Sequence, residues 1–443
     1  MLSSVRSFTR RAARPLFCQQ PKANVRRYTL AVFPKPCLVR PHCEKNRSVP
    51  TIFHRWHATS APAPVYRTLA FYKFHSLPEE DLPAFREELL AQFGAFGAVG
   101  RIYISTEGIN VQVSCPEPYL DEMQRYCERV IKPKLGGDLM DFNWSTDEPG
   151  RRAFRALHVR IRKQLVADGL DPASYDLKNR PSHLPPAAWH EKLETYKAQH
   201  GKEPILIDMR NHYESNIGYF DGAIRPDADT FRDSIKAMNE IVKDIPRDQE
   251  IFMYCTGGIR CSKAGAILQS ASGFDTVHLV EGGITAYGRW IQEQKDKKSL
   301  FRGKNFTFDG RLGEPVTEEV FGQCHICGGP CNRYQNCVHS SCNLLMLCCD
   351  TCASRFLNTC GRPKCYDVVH DYKQSAQRFY NPDGPVLVNG VRAYIKEKSD
   401  RVVIGKQGEK CAEEHNRRIR AVEVLGEPGE ILKEWVRLGR TLP

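Results

Sequence analysis

The sequence predicts a multidomain protein that combines α+β and α/β folds with a cysteine-rich metal-binding module. Three observations lead to this prediction. Residues 66–170 alternate short strands and helices, residues 203–300 hold buried-strand patterns separated by helices, and ten of the 18 cysteines fall between Cys324 and Cys365. A chain of 443 residues, 41% of them hydrophobic, is long enough for two or three domains, each with a core.

The first predicted domain, residues 66–170, shows the element order β-α-β-β-α-β. Residues 82, 85, 89, 90 and 93 are apolar and form a helical stripe, whereas the predicted strands are short and rich in apolar residues. We predict strands at 68–74, 99–104 and 111–113, helices at 82–93 and 120–131, and a last strand within 154–166. This order is typical of split-βαβ, ferredoxin-like domains.

The last predicted strand of this domain has a basic face. Arg160 and Arg162 alternate with apolar residues, and no acid occurs between positions 151 and 163. This face is either a contact surface for RNA or the solvated outer face of an antiparallel sheet, and the pattern favours neither. The candidate RNA contacts are Arg151, Arg152, Arg155, Arg160 and Arg162.

A second domain is predicted at residues 203–300, after a proline-containing interval at 171–202 that we interpret as a linker with one helix. Three short apolar runs, at 205–207, 251–254 and 277–280, are each followed by turn or loop residues and separated by helical patterns. Such runs are typical of buried parallel strands in an α/β domain.

Cys255 directly follows the second of these runs and precedes a helical pattern, at the end of a strand where open α/β sheets place their sites. Gly257 and Gly258 let the loop curl, so that its N–H groups and the helix N-terminus form an anion nest that favours a thiolate. Arg260 adds a positive charge. The predicted anion loop is Thr256, Gly257, Gly258 and Ile259, and the candidate catalytic residues are Cys255, Arg260 and Cys261.

Two alternatives concern this loop. A tyrosine-phosphatase-like loop has five residues between its cysteine and arginine, but only four separate Cys255 from Arg260, so a cradle for sulfur or a small anion fits better. Cys261 is either a resolving thiol for a persulfide on Cys255 or a packing residue at the start of the helix.

The cysteine-rich segment at 301–365 has the paired spacing of a tetrahedral zinc site. Cofactor candidates are two structural zinc ions or, as the second choice, an iron–sulfur cluster. Disulfides are disfavoured, because the N-terminal segment described below predicts a location in an organelle matrix. His325 and His339 are further candidate ligands. The predicted metal ligands are Cys324, Cys327, Cys331, Cys337, Cys342, Cys349, Cys352, Cys360 and Cys365.

Residues 1–65 form a basic leader. Residues 1–60 contain 12 Lys and Arg and one acid, Glu44, and so carry nearly all of the net charge of +12. This composition predicts a transit peptide and a location in the mitochondrial matrix, with the plastid as the alternative; a basic nucleic-acid-binding tail is the other interpretation. No apolar run reaches the roughly 18 residues that a membrane span needs.

Several segments together resemble a rhodanese domain: Asp208-Met209-Arg210, Glu214, 218–223, the Cys255 loop and 281–284. More narrowly, the chain resembles the rhodanese-type tRNA uridine 5-hydroxylases from about residue 66 to residue 365. The segments that match this family are 107–110, 166–169, 207–214, 253–261, 303–306 and the cysteine cluster, from which Cys348 departs.

This resemblance implies an acylphosphatase-like N-terminal domain, Cys255 as the catalytic cysteine, and oxygen-dependent formation of 5-hydroxyuridine at the wobble position of tRNA. The implied partners are tRNA and a sulfur- or electron-donor protein, without membrane insertion. Two alternatives remain open, a thiosulfate or persulfide sulfurtransferase and a non-catalytic RNA-binding factor with a rhodanese fold. For the C-terminal extension at 366–443 we predict a hairpin around Asn389-Gly390 and partial helix at 421–438, and no chemistry.

Overall fold

The computed structural model describes residues 65–137, 142–146, 153–181, 183–378, 386–388, 391–394, 403–404 and 420–443. These residues belong to one compact unit. Residues 1–64 of the predicted transit peptide lie outside the described residues, as do Arg151 and Arg152.

A five-stranded sheet organises the first domain, in the order β4-β1-β3-β2-β5. Two helices and a π-helical turn at Cys127–Ile131 pack their apolar side chains against one face of it. The strands are β1 (Tyr66–Phe74), β2 (Val99–Ser105), β3 (Gly108–Pro116), β4 (Asn143–Thr146) and β5 (Leu157–Ile161). The helices are α1 (Leu82–Ala95), α2 (Leu120–Tyr126) and the short α3 (Lys132–Lys134).

The structure confirms the split-βαβ architecture, but the prediction of its fourth strand was wrong. Strand β4 pairs antiparallel with β1 and completes the motif. The predicted last strand, β5, is instead a fifth strand that pairs in parallel with β2 at the opposite edge. The sequence Asn-Trp-Ser-Thr of β4 has no alternation of apolar residues, so its pattern did not reveal a strand.

The two faces of this sheet differ because side chains alternate along each strand. One face contributes Leu69, Ile102 and Val111 to the core beneath the helices. The other face lines a cavity shared with the second domain. The side chains of this face in the cavity wall are Thr68, Ala70, Tyr72, Arg101, Tyr103, Asn110 and Gln112.

The second domain contains a parallel sheet in the order β6-β10-β9-β7. The three predicted buried strands are present, and every residue of the strand Ile251–Tyr254 is buried. The strands are β6 (His183–Leu184), β7 (Ile205–Asp208), β8 (Gly218–Phe220, outside this sheet), β9 (Ile251–Tyr254) and β10 (Val277–Val280). The helices are α4 (Pro186–His200), α5 (His212–Ser215), α6 (Phe231–Val242), α7 (Ile259–Ser272) and α8 (Gly283–Glu293).

The interval 171–202, interpreted as a linker, is in part integral to the α/β fold. Strand β6 forms an edge of the parallel sheet. Trp189 and Tyr196 of α4 are buried and pack against Phe252 of the central strand. The proline content of this interval therefore reflects the entry into β6 and α4 rather than an independent tether.

The third region of the fold is built around the cysteine cluster from Cys324 to Cys365. The last described residues complete its core, since Leu425, Ile431 and Trp435 pack among the cysteines, and the Trp435 indole donates to the Gly361 carbonyl at 2.7 Å. The strands are β11 (Phe301–Asn305), β12 (Glu314–Pro315), β13 (Tyr334–Asn336) and β14 (Leu345–Leu347). The helices are α9 (Asp350–Arg355), α10 (Pro363–Arg378), α11 (Ala421–Leu425) and α12 (Glu430–Arg437).

In the C-terminal extension, β15 (Val386–Val388) pairs antiparallel with β16 (Val391–Tyr394), as the predicted hairpin requires, and β17 (Val403–Ile404) joins β16. The turn residues Asn389 and Gly390 lie outside the described residues. Within the described ranges, no helix has the length and apolar character needed to cross a membrane.

Candidate active site

The Cys255 loop connects the carboxyl end of β9 to the N-terminus of α7. Gly258 caps the helix with φ of 94°, a conformation that favours glycine, and its N–H donates to the Cys255 sulfur at 3.2 Å. Gly283 of the adjacent helix packs so closely that a Cβ there would lie 2.6 Å from the Cys255 carbonyl oxygen. Both glycines therefore shape the cradle, whereas Gly257 has no positive φ.

The cradle favours the thiolate form of Cys255. Burial opposes ionisation, but a hydrogen bond from the Cys261 thiol, the Arg260 charge and the N–H groups of Cys261 and Gly258 together lower the pKa of Cys255 from 9.0 to about 6. Burial and the neighbouring sulfur raise the pKa of Cys261, which keeps it protonated. In this structure Cys261 acts as a hydrogen-bond donor to Cys255, in addition to packing at the start of the helix.

Arg260 is held by a buried carboxylate. Its guanidinium contacts Glu214 through two hydrogen bonds of 2.6 and 2.7 Å, and Glu214 is fully buried. Glu214 also accepts from the Thr256 hydroxyl at 3.0 Å and from the Asn211 N–H at 3.0 Å. Glu214 thus holds both ends of the loop. This role was not predicted from the sequence, although Glu214 belongs to a segment that resembles rhodanese domains.

The pKa shift of Cys255 leads to a testable pH dependence. Because the pKa is lowered, the thiolate persists down to about pH 6, and alkylation by iodoacetamide should reach half its maximal rate there rather than near pH 9. The measurement is mass spectrometry of the Cys255 peptide after short labelling at a series of pH values. Labelling of N-acetylcysteine added to the same sample is a control for the reagent. A midpoint above pH 8 would contradict the proposed cradle.

Cys255 opens into a cavity of about 350 Å³ between the loop and the first domain. Tyr72 links the two, because its hydroxyl lies 2.7 Å from the Ser262 hydroxyl in the first turn of α7. Phe308 also lines the cavity, and its carbonyl accepts from Arg101. Loop residues Cys255, Thr256, Gly257, Ile259 and Arg260 all line this cavity.

A buried lysine joins the two domains beside this cavity, and it was not among the residues predicted from the sequence. Lys263 of α7 is fully buried and contacts Glu107 at 2.7 Å and Asp168 at 2.8 Å. Burial opposes ionisation of Asp168, but hydrogen bonds from Lys263, Tyr175 and the Leu170 N–H lower its pKa. Glu107 and Asp168 both belong to segments that resemble the tRNA uridine 5-hydroxylase family. This resemblance was the signal in the sequence that could have identified them.

The basic strand lies at the edge of the first domain. Arg155, Arg160 and Arg162 are exposed, and the Arg162 guanidinium lies 4.9 Å from the ring centre of Tyr103. Arg160 pairs in register with Tyr103, so its side chain continues the face of the sheet that lines the cavity. The structure thus places two of the five candidate arginines, Arg160 and Arg162, beside the cavity-lining Tyr103, while Arg151 and Arg152 lie outside the described residues.

Eight of the nine predicted metal ligands form two sets of four cysteines. Within each set, the sulfur atoms all lie within 4.8 Å of one another. The sets are interleaved along the chain: the first and third pairs form one set, and the second and fourth pairs form the other. The first set is Cys324, Cys327, Cys349 and Cys352, and the second is Cys337, Cys342, Cys360 and Cys365. Cys331 belongs to neither set, since its sulfur instead contacts the backbone of Arg333.

The geometry of both sets fits a tetrahedral metal ion. A metal–sulfur bond of about 2.3 Å places the sulfurs of a tetrahedron about 3.8 Å apart. The Cys327 and Cys349 sulfurs are 3.8 Å apart, and those of Cys342 and Cys360 are 3.9 Å apart. Arg362 donates to the Cys342 sulfur at 3.2 Å, which stabilises thiolate charge in the second set. Both sets could therefore bind metal ions.

The spare histidines have different surroundings. The Nδ1 atom of His325 accepts from the Leu347 N–H at 3.1 Å and is thereby engaged by the backbone. The Nδ1 atom of His339 lies 3.4 Å from the Cys365 sulfur, beside the second set. Neither is needed to complete four ligands.

Comparison with known proteins agrees with this three-part organisation. A profile described as "UPF0176 acylphosphatase like domain" matches residues 66–165, and one described as "Rhodanese-like domain" matches residues 191–289. A third, "Rhodanase C-terminal", matches residues 302–366 and so spans both cysteine sets.

Relatives named tRNA uridine(34) hydroxylase resemble most of the chain. The relative from Erwinia tasmaniensis is 36% identical over 74% of this chain and 90% of its own length. Those from Leptospira interrogans and Salmonella arizonae are 37% and 35% identical over 68% and 75% of this chain, and 78% and 91% of their own lengths. Three relatives with this name are thus at least 35% identical over 68–75% of the chain, and the chain therefore belongs to the tRNA uridine(34) hydroxylase family.

Proposed function

We propose that this chain hydroxylates the wobble uridine of tRNA to 5-hydroxyuridine, in an oxygen-dependent reaction at Cys255. The observation that carries the proposal is that Cys255 lines a cavity shared by the rhodanese loop and the acylphosphatase-like sheet, in a cradle that lowers its pKa to about 6. A sulfurtransferase that acts on thiosulfate needs only the loop. The second wall of polar and aromatic side chains favours a larger, nucleoside-sized substrate.

In the proposed reaction, the Cys255 thiolate adds to carbon 6 of the uracil ring and makes carbon 5 nucleophilic. Carbon 5 takes one oxygen atom from O₂, and the other oxygen leaves as water with two electrons and two protons from a reduced donor. Loss of the proton from carbon 5 and expulsion of the thiolate restore the ring and free Cys255. Arg260 and the loop N–H groups hold the thiolate in the form that adds and leaves.

Two measurements test this proposal. Purified protein, tRNA with unmodified U34, a reductant and ¹⁸O₂ should yield 5-hydroxyuridine that is two mass units heavier than that formed with ¹⁶O₂. A tRNA containing 5-fluorouridine at the same position should form a covalent adduct that maps to Cys255. Product without incorporated ¹⁸O would refute oxygen dependence, and turnover without any adduct would refute addition to carbon 6. Sulfur transfer from thiosulfate without hydroxylation would favour the sulfurtransferase alternative.

The exposed arginines of β5 and its flanks are proposed to bind the phosphates of tRNA. Arg160 pairs with the cavity-lining Tyr103, and Arg162 lies over the Tyr103 ring, so a charged backbone could rest there while one nucleotide enters. Arg155 is exposed shortly before β5. Their joint replacement by Gln should weaken tRNA binding. It should also make the slope of log affinity against log salt concentration shallower, by an amount that corresponds to about one to three lost phosphate contacts. Replacing Lys236, Lys243 and Lys433, which are also exposed, provides a charge-matched control.

We further propose that each cysteine set holds one structural zinc ion. Elemental analysis should therefore find two zinc ions per chain, and Cys342→Ser should lose one of them. Cys331→Ser is the matched control and should retain two, because Cys331 lies outside both sets. Iron with acid-labile sulfide in the purified protein would instead support an iron–sulfur cluster, and equal loss from both variants would contradict the ligand assignment.

The location of the protein is proposed to be the mitochondrial matrix, on the basis of the basic, acid-poor composition of residues 1–60. A fluorescent fusion of the full chain should accumulate in mitochondria, whereas a fusion that begins at residue 66 should not. Identical distributions of the two fusions would contradict a targeting role for residues 1–65.

A further inference from the structure

The sheet face opposite Cys255 carries a regular row of side chains across four strands. Tyr72 of β1 pairs in register with Asn110 of β3, Asn110 with Tyr103 of β2, and Tyr103 with Arg160 of β5. Paired residues share a face of the sheet. Asn110 therefore lies between two tyrosines, in the wall of the cavity into which Cys255 opens.

A second row runs beside the first. Gln112 of β3 pairs with Arg101 of β2, and both side chains line the same cavity. The Arg101 guanidinium donates to Gln112 Oε1 at 3.0 Å. This hydrogen bond fixes the orientation of the Gln112 amide, whose Nε2 then presents N–H donors to a ligand.

The cavity combines aromatic and amide groups at the scale of one nucleotide. Its volume of about 350 Å³ is near the lower end of ligand sites, so it admits one base rather than a stretch of RNA. Tyr72, Tyr103, Phe154 and Phe308 supply ring surfaces on which an extruded base can stack.

The amides complement uracil. Uracil offers an N3–H donor flanked by two carbonyl acceptors, so Asn110 can accept from N3–H while Gln112 Nε2 donates to the O4 carbonyl. Cytosine has an amino group where uracil has its O4 carbonyl, and that amino group would meet the fixed Gln112 donor. Two donors facing each other leave both without an acceptor, which costs binding energy.

We propose that Asn110 and Gln112 form the base-recognition site of this enzyme, and that Gln112, oriented by Arg101, selects uracil over cytosine. This inference rests on the proposed function, because it places the substrate base between this sheet face and Cys255. It adds that base specificity belongs to the acylphosphatase-like domain, whereas the reactive sulfur belongs to the rhodanese domain.

The test compares binding of two short RNA hairpins that differ only in uridine or cytidine at the wobble position of an anticodon loop. The wild-type chain should prefer the uridine hairpin on the order of tenfold, the value of one good pair of base contacts. Gln112→Glu replaces the donor by an acceptor and should reverse the preference towards cytidine. Asn110→Leu should weaken binding of the uridine hairpin on the order of tenfold.

Gln124→Glu on α2 makes the same chemical change at an exposed position and should leave the preference unchanged. Thermal melting of each variant shows whether it is folded. Equal affinities of Gln112→Glu for both hairpins, or an unchanged preference for uridine, would overturn the proposal. Binding is measured without turnover, so a protein that prefers uridine but forms no 5-hydroxyuridine would refute the proposed reaction and leave the recognition site standing.

Discussion

Glu214→Gln should lower the free energy of unfolding by about 3–5 kcal/mol, the usual cost of removing one partner of a buried ion pair. The substitution conserves the shape of the side chain but leaves Arg260, a residue that is 8% exposed, without the carboxylate that pairs with it. It also weakens the contacts that Glu214 makes with Thr256 and Asn211. Urea unfolding followed by tryptophan fluorescence measures the effect.

The matched control for this prediction is Glu203→Gln. Glu203 makes an ion pair with Lys197 in which both side chains are 70% exposed, and such pairs contribute about 0–1 kcal/mol. Similar losses in the two variants would show that the Glu214–Arg260 pair does not support the loop.

Lys263→Met should have an effect of similar size, again about 3–5 kcal/mol, because it leaves Glu107 and Asp168 facing each other without a cation in a buried site. The expected consequence is a loosened contact between the first domain and helix α7, which begins at the Cys255 loop. Limited proteolysis and urea unfolding would both detect it.

Lys433→Met is the control, since Lys433 is 70% exposed and contacts Glu430 at 2.7 Å. Neutralising both acids, in Lys263→Met/Glu107→Gln/Asp168→Asn, should recover part of the lost stability by removing the repulsion. If the triple variant is less stable than Lys263→Met, repulsion between the carboxylates is not the cause.

Much of the fold was predictable because its elements are local. The helical stripe of α1, the three apolar runs of the parallel sheet and the loop after β9 are each encoded within a few residues. The placement of Cys255 between a buried strand and a helix was predicted in the same way, since a glycine-rich turn after a buried strand has a direct chemical meaning.

The remaining features depend on pairings between residues distant in sequence. Strand β4 has a polar sequence, and only its pairing with β1 makes it a strand. The interleaving of the cysteine sets and the exclusion of Cys331 follow from the fold of the module, not from spacing. Lys263 appeared to be an ordinary helix residue, because its acidic partners lie 156 and 95 positions away.

Hydroxylation of the wobble uridine at Cys255 is tested most directly by nucleoside mass spectrometry. The tRNA comes from cells that lack this protein and are rescued with wild type or Cys255→Ser. A catalytic role for Cys255 predicts that 5-hydroxyuridine and its derivatives at the wobble position disappear without the protein and return only with wild type. Their persistence in the absence of the protein, or their restoration by Cys255→Ser, would contradict it.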